Sequence, residues 1–249
     1  MRYKHFKNAD ADISALTVGT WGIAGANSAG VTWGDVDTEE SIAAIRQMID
    51  NGVNMVDTAP IYGDGHSETV VGQALKDGYR EKVYLATKFG SYISHYTGKS
   101  VRDNKYNSVE REIDESLARL QTDYIDLLII HRWDYNTPIE ETMAALNDLV
   151  RAGKVLYLGA SAMYTWQFQK AQYIAEKNGW TKFSVMQNHY NLLYREDERE
   201  MIPFCKDSGV GLAPYSPLAA GRVVRDWSAE TARSQTDEVA KSKYDATEA

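Results

Sequence analysis

A single cysteine, Cys205, stands in this chain of 249 residues, so no intramolecular disulfide can form and a reducing, cytoplasmic setting is expected. Basic charge is also scarce: 27 Lys and Arg against 35 Asp and Glu leave a formal net charge of -8. A nucleic-acid groove and an anionic membrane surface both recruit clustered Lys and Arg, so neither is expected as a partner, and a small molecule is. No apolar run approaches the roughly 18 residues of a membrane span. The opening Met1-Arg2-Tyr3-Lys4-His5-Phe6 has no apolar core of signal-peptide length. Metal-ligand spacing is missing too: His95 and His189 lack carboxylate or cysteine neighbours in a ligand pattern, His66 lies at a loop or helix start, and no metal is expected.

What the chain does contain is a set of short hydrophobic runs, each ending on a polar residue. They are Val53 to Asp57, Val83 to Lys88, Ile125 to His131, Val155 to Ser161, Phe183 to Gln187 and Val210 to Tyr215. Helical periodicity fills the intervals, near Glu68–Leu75, Ser108–Leu120, Ile139–Arg151, Thr165–Asn178 and Glu196–Ser208, with a further helix opened by Thr38-Glu39-Glu40-Ser41. Val109, Ile113, Leu117 and Leu120 form one buried stripe, and Asn178-Gly179 and Ser208-Gly209 match left-handed helix caps. With a first strand at Leu16 to Thr20, seven βα-type strands are legible. They predict one α/β domain over residues 1–249, a TIM-type (β/α)8 barrel with a hairpin of Arg2 to Phe6 and Ile13 to Leu16 plugging one end.

After Tyr215 the pattern fades. Residues 219–249 read as a weakly structured tail or loop, and no eighth strand is legible. The expectation is a barrel without its last strand and helices, open between its seventh and first strands, or one closed by pairing with a partner or with a second copy of itself as a homo-oligomer.

Strand ends on one face of such a barrel carry chemistry. Asp57, Lys88 and His131 end consecutive strand runs, and Tyr62 follows Asp57 by five residues in the loop Pro60-Ile61-Tyr62-Gly63-Asp64-Gly65. The physical logic is a proton donor beside a cation. An ammonium at Lys88 lowers the pKa of the Tyr62 phenol from its usual value of about 10, Asp57 holds Lys88, and His131 orients a substrate oxygen. Cys205, on a helix stripe with Met201 and Ile202, reads as an inert core thiol, and Arg195 to Glu200 as a helix start with a solvated face.

These residues resemble the aldo/keto reductase superfamily. The resemblance is carried by Gly52 to Gly63, His66-Ser67-Glu68, Ala86-Thr87-Lys88, Asp123 to Leu127 leading to His131, and Gln187-Asn188-His189-Tyr190-Asn191. It implies an oxidoreductase that transfers a hydride from a nicotinamide cofactor to a small-molecule aldehyde or ketone. Tyr62 would be the general acid, and Asp57, Lys88 and His131 would complete the tetrad. The cofactor implied is NADP(H) rather than NAD(H), bound without a Rossmann domain, and no G-x-G-x-x-G occurs.

By the same resemblance Ser161 and Gln187 hold the nicotinamide carboxamide, Tyr215 stacks on its ring, and Asp57 is also among the cofactor-binding residues. Ser216, Pro217, Leu218, Gly221 and Arg222 pass the pyrophosphate, while Gly19, Thr20 and Trp21 form the rim. Trp21, Tyr92 and Trp133 are expected as substrate-pocket walls. Two departures stand out: Ala162 follows Ser161 where many relatives have Asn, and the basic residues with which the family grips the 2′-phosphate have no counterpart. A nicotinamide-binding or regulatory protein with little catalysis therefore remains an alternative.

Overall fold

The computed structural model of the chain describes residues 1–25, 36–94, 97 and 99–226; His95, Trp227 and the rest of the expected tail lie outside the described residues. The chain opens with β1 (Tyr3–Phe6) and β2 (Ala11–Ser14), an antiparallel hairpin. Then come β3 (Val18–Gly19), α1 (Thr38–Asp50), β4 (Met55–Asp57), α2 (His66–Ala74) and β5 (Tyr84–Phe89). A second antiparallel hairpin, β6 (Ser91–Ile93) and β7 (Ser100–Arg102), precedes α3 (Tyr106–Leu120) and β8 (Ile125–Ile130). The remaining elements are α4 (Ile139–Arg151), β9 (Val155–Ser161), α5 (Thr165–Asn178), β10 (Phe183–Gln187), α6 (Met201–Ser208) and β11 (Gly211–Leu212).

Among the described residues, seven strands pair in parallel as one curled sheet in the order β3, β4, β5, β8, β9, β10, β11. A helix-bearing connection links each to the next, as in a (β/α)8 barrel. The two outermost strands are the shortest. β3 keeps Val18–Gly19 of the expected Leu16–Thr20, and β11 keeps Gly211–Leu212 of the run to Tyr215, which rejoins only through an isolated bridge between His189 and Tyr215.

Side chains alternate along a strand, and that alternation sorts the core into two layers. Val56, Leu85, Leu128, Leu158 and Met186 face outward and pack with Ile113, Met143, Leu146 and Phe168 of the helices. Burial of each such side chain contributes about 1.5–3 kcal/mol. Met55, Ala86, Leu127, Ile129 and Val185 face inward and meet Ala9, Ala11 and Ile13 of the opening hairpin, which plugs the interior as expected. Asn54 ties the plug down, accepting from the Ser14 amide at 2.8 Å and donating to the Asp12 carbonyl at 2.8 Å. Phe6 lies so close to Gly211 that a β-carbon there would sit 2.4 Å from its ring, so only glycine fits that point of β11.

Several boundaries differ from the sequence expectation, the starts of α1 and α6 among them. The cap of α1 is Asp37, one residue earlier than Thr38, whose carboxylate accepts from the Glu40 amide at 2.8 Å. α6 starts at Met201 rather than Glu196, with a 3-10 turn over Glu196–Glu198 before it. Pro203 explains the shift: it has no N–H to give to a preceding turn and is tolerated only near a helix start. Within the expected tail, Ala219–Gly221 forms a 3-10 turn with Ala219 buried. Cys205 is buried in the main core, and burial pushes its thiol up to about 12.

Behind the strand that carries Lys88, Gly90 adopts a left-handed φ of +80° and donates its amide to Glu112 Oε2 at 2.9 Å. A β-carbon at Gly90 would meet Asn104 Oδ1 at 1.8 Å. Glu112 Oε1 and Asn104 Oδ1 are both buried acceptors with no partner. Burial pushes the Glu112 carboxyl from 4.5 up to about 7, against the pull of the Gly90 amide and Arg111. A carboxyl with a raised folded-state pKa stabilises the fold below its unfolded value, and that stability is lost as pH rises through about 7. The loss is at most about 3 kcal/mol, or roughly 6–12 °C of melting temperature. Glu112→Gln is therefore expected to melt progressively higher than the parent between pH 5 and pH 8. Parallel melting curves across that range would exclude a protonated Glu112.

Candidate active site

The inward alternation that builds the plugged interior continues upward into polar residues. Met55 is followed on its face by Asp57, Ala86 by Lys88, Ile129 by His131 and Val185 by Gln187, while register pairs Gln187 with Ser161. Lys88 is 1% exposed, and its Nζ donates to both Asp57 oxygens at 2.8 Å and to the Thr58 carbonyl at 2.9 Å. Gln187 Nε2 reaches Asp57 Oδ1 at 3.3 Å. The Tyr62 ring lies over this pair, its centroid 4.9 Å from Lys88 Nζ. Its other ring neighbours are His131, edge-on at 5.9 Å and 82°, and Trp21 at 6.1 Å.

Local hydrogen bonds fix the loop that carries Tyr62. The Tyr62 amide donates to the Ala59 carbonyl at 3.1 Å, and the Ser67 amide donates to the Tyr62 carbonyl at 3.2 Å. Ser67 Oγ donates to Thr20 Oγ1 at 2.7 Å, and Thr20 Oγ1 donates to the Asp57 carbonyl at 3.0 Å. Deeper still, the buried Glu68 accepts from Thr87 and from Arg119, each at 2.6 Å. The start of α2 is thereby clamped to β3, β4 and β5.

Electrostatics set the protonation states. Burial pushes the Tyr62 phenol up, and the downward pull of Lys88 does not overcome it. This corrects the sequence expectation of a phenol below its ordinary value: the cation is in place, but desolvation of a phenolate is the larger effect. Burial works against the Lys88 charge, yet the Asp57 carboxylate and Tyr62 outweigh it and raise Lys88. Burial and then the Lys88 charge, with Arg132 and Arg102 adding to it, hold His131 well below the usual histidine range. At neutral pH the site thus presents a protonated phenol, a fixed ammonium and a neutral imidazole.

These groups open onto a cavity of about 820 Å³. Gly19, Thr20, Trp21, Asp57, Ser161 and Gln187 line it, as do Tyr215, Ser216 and Pro217. Leu218, Gly221 and Arg222 do not line it, and neither do the expected pocket walls Tyr92 and Trp133; Trp133 is buried against Trp166. Tyr215 is held by a stack of three rings, 5.1 Å and 12° from His189, which lies 4.5 Å and 21° from Tyr194 on the stack. Ala162 sits in a left-handed conformation with its amide on the Gln187 carbonyl at 3.2 Å. Among the described residues, no group of three or more His, Cys, Asp or Glu could hold a metal ion. No described helix is long and apolar enough to cross a membrane.

The sequence profile of the aldo/keto reductase family matches residues 15–248. The chain belongs to the aldo/keto reductase family. This aldo/keto reductase is 46% identical over 223 residues to the aldo-keto reductase AMT2 of Alternaria alternata, covering 80% of the chain and 61% of AMT2. The chain thus spans under two thirds of that relative's length. Its structure matches a glycerol dehydrogenase of Gluconobacter oxydans with a TM-score of 0.80 at 27% identity, covering 97% of the chain and 72% of the neighbour. It also matches an aldo/keto reductase from Klebsiella pneumoniae in complex with NADP and acetate, with a TM-score of 0.72 at 30% identity over 90% of the chain and 71% of the neighbour.

Sequence reasoning missed two charged residues on the cavity wall, Arg102 and Arg132. Arg132 adjoins His131 and could have been flagged by that adjacency. Arg102 lies on the β6–β7 hairpin, whose polar stretch gives no strand signal.

Proposed function

We propose that this chain forms the core of an NAD(P)H-dependent oxidoreductase that reduces aldehydes or ketones to alcohols, with Tyr62 as the general acid. The observation that carries the reading is the buried Asp57–Lys88 pair beneath a protonated phenol at a cavity. The cavity walls fit a nicotinamide: Ser161 has a hydroxyl and Gln187 an amide for a carboxamide, and Tyr215 is a ring held by its own stack. NADPH is the preferred donor in this reading, supported by the NADP bound to the Klebsiella pneumoniae relative.

A bound nicotinamide supplies the hydride. The chain's own part is the proton and its timing. His131, neutral, donates to the carbonyl oxygen of the substrate and aligns it with the Tyr62 hydroxyl. As negative charge develops on that oxygen, Tyr62 releases its proton to it, and Lys88 stabilises the resulting phenolate. Asp57 keeps Lys88 charged throughout, so the ammonium is preorganised and needs no rearrangement during the reaction. A reducing compartment such as the cytoplasm suits this chemistry.

Trp21 lines the cavity beside Tyr62, so nucleotide binding has an optical reporter. Titration with NADPH and with NADH is expected to quench tryptophan fluorescence, with NADPH saturating at the lower concentration. No quench by either nucleotide would overturn the cofactor reading.

A further inference from the structure

The charge balance of the cavity is uneven. Asp57 is cancelled by Lys88, and Tyr62 and His131 are neutral at pH 7, yet two guanidinium groups also line the walls, Arg102 of β7 and Arg132 after β8. Elsewhere Arg46, Arg80 and Arg119 each bind a carboxylate, on Asp77, Asp126 and Glu68. Neither Arg102 nor Arg132 has such a partner among the described residues, in a chain whose net charge is -8. Arg132 Nη1 donates only to the His131 carbonyl, at 2.9 Å.

The acids next to them in sequence are committed elsewhere. Asp103 accepts from Ser108 Oγ at 2.8 Å and the Lys105 amide at 3.2 Å. Asp134 accepts from Thr137 Oγ1 at 2.7 Å and from the Asn136 and Asn104 amides at 2.9 and 3.2 Å. Both guanidinium groups line the same cavity as Tyr62 and His131. Ser91 and Ser100 of the same hairpin also line the cavity and add hydroxyl donors. A guanidinium is a rigid fork of donors that matches a carboxylate or phosphate oxygen pair.

We propose that Arg102 and Arg132 form an anion-binding wall of the cavity and that the favoured substrate is a carbonyl compound bearing a carboxylate group. This rests on the carbonyl-reductase reading and deepens it. An alternative source of the anion is a phosphate of the cofactor, and the test separates the two.

The test compares 4-carboxybenzaldehyde with benzaldehyde in the presence of NADPH, for the parent and for Arg102→Gln and Arg132→Gln. A second readout follows tryptophan quenching by benzoate and by neutral benzyl alcohol with NADP bound, and NADPH affinity is measured for all three proteins. A charge-assisted contact predicts a kcat/KM preference of about 10- to 100-fold for the carboxylated aldehyde, collapsing towards one in the variants, with NADPH affinity retained. Equal kcat/KM for the two aldehydes, or a preference that survives both substitutions, would overturn the proposal. Loss of NADPH affinity in the variants would overturn it in favour of a phosphate contact. If neither aldehyde reacts, the reductase reading fails, and the benzoate titration still decides: arginine-dependent binding supports the wall, and its absence removes it.

Discussion

Tyr62→Phe is expected to lower carbonyl turnover by about 10²–10⁴-fold, the usual contribution of a positioned general acid, while NADPH affinity stays close to that of the parent. The substitution removes one oxygen. The ring contacts with Trp21 and His131 and the position of Lys88 beneath the ring remain, so neither the fold nor the cavity changes shape. Steady-state kinetics beside a fluorescence titration read the two quantities separately. A fall in kcat with unchanged nucleotide affinity fits a role at the proton-transfer step, whereas unchanged turnover would remove Tyr62 from the mechanism.

Lys88→Met is expected to act on stability as well as on turnover. The ammonium is buried and satisfies both oxygens of Asp57 and the Thr58 carbonyl. Removing it leaves a carboxylate in a desolvated position without its partner, at a cost of about 3–5 kcal/mol. For a chain of this size that is a fall of roughly 6–20 °C in melting temperature. The double substitution Asp57→Asn with Lys88→Met is expected to recover part of the loss, because no uncompensated charge remains, while turnover stays low. Thermal melts of the four proteins of the cycle provide the check. A Lys88→Met variant melting with the parent would show that the pair is not desolvated as described.

The inner layer of the barrel was legible because alternation is a property of the sequence itself: Met55 with Asp57, and Ala86 with Lys88, already lie on one face at period two. The bounds of α4 and α5, Ile139–Arg151 and Thr165–Asn178, were equally legible from apolar spacing and from the Asn178-Gly179 cap. What escaped depends on pairing and burial. β3 and β11 are shortened because each sits at an edge of the described sheet with a neighbour on one side only. The β6–β7 hairpin has no apolar alternation to announce it, and Arg102 was hidden with it. The direction of the Tyr62 shift was missed because a neighbouring lysine can be guessed from a motif, but the depth at which the phenol sits cannot.

Hydride transfer with protonation by Tyr62 is tested most directly by following the label. NADPH carrying deuterium at C4 of the nicotinamide is incubated with an aldehyde and the protein, and the alcohol is analysed by mass spectrometry. The account predicts deuterium on the carbinol carbon with the parent and almost no labelled alcohol over the same interval with Tyr62→Phe. Alcohol formed without deuterium, or formed equally by both proteins, would contradict it.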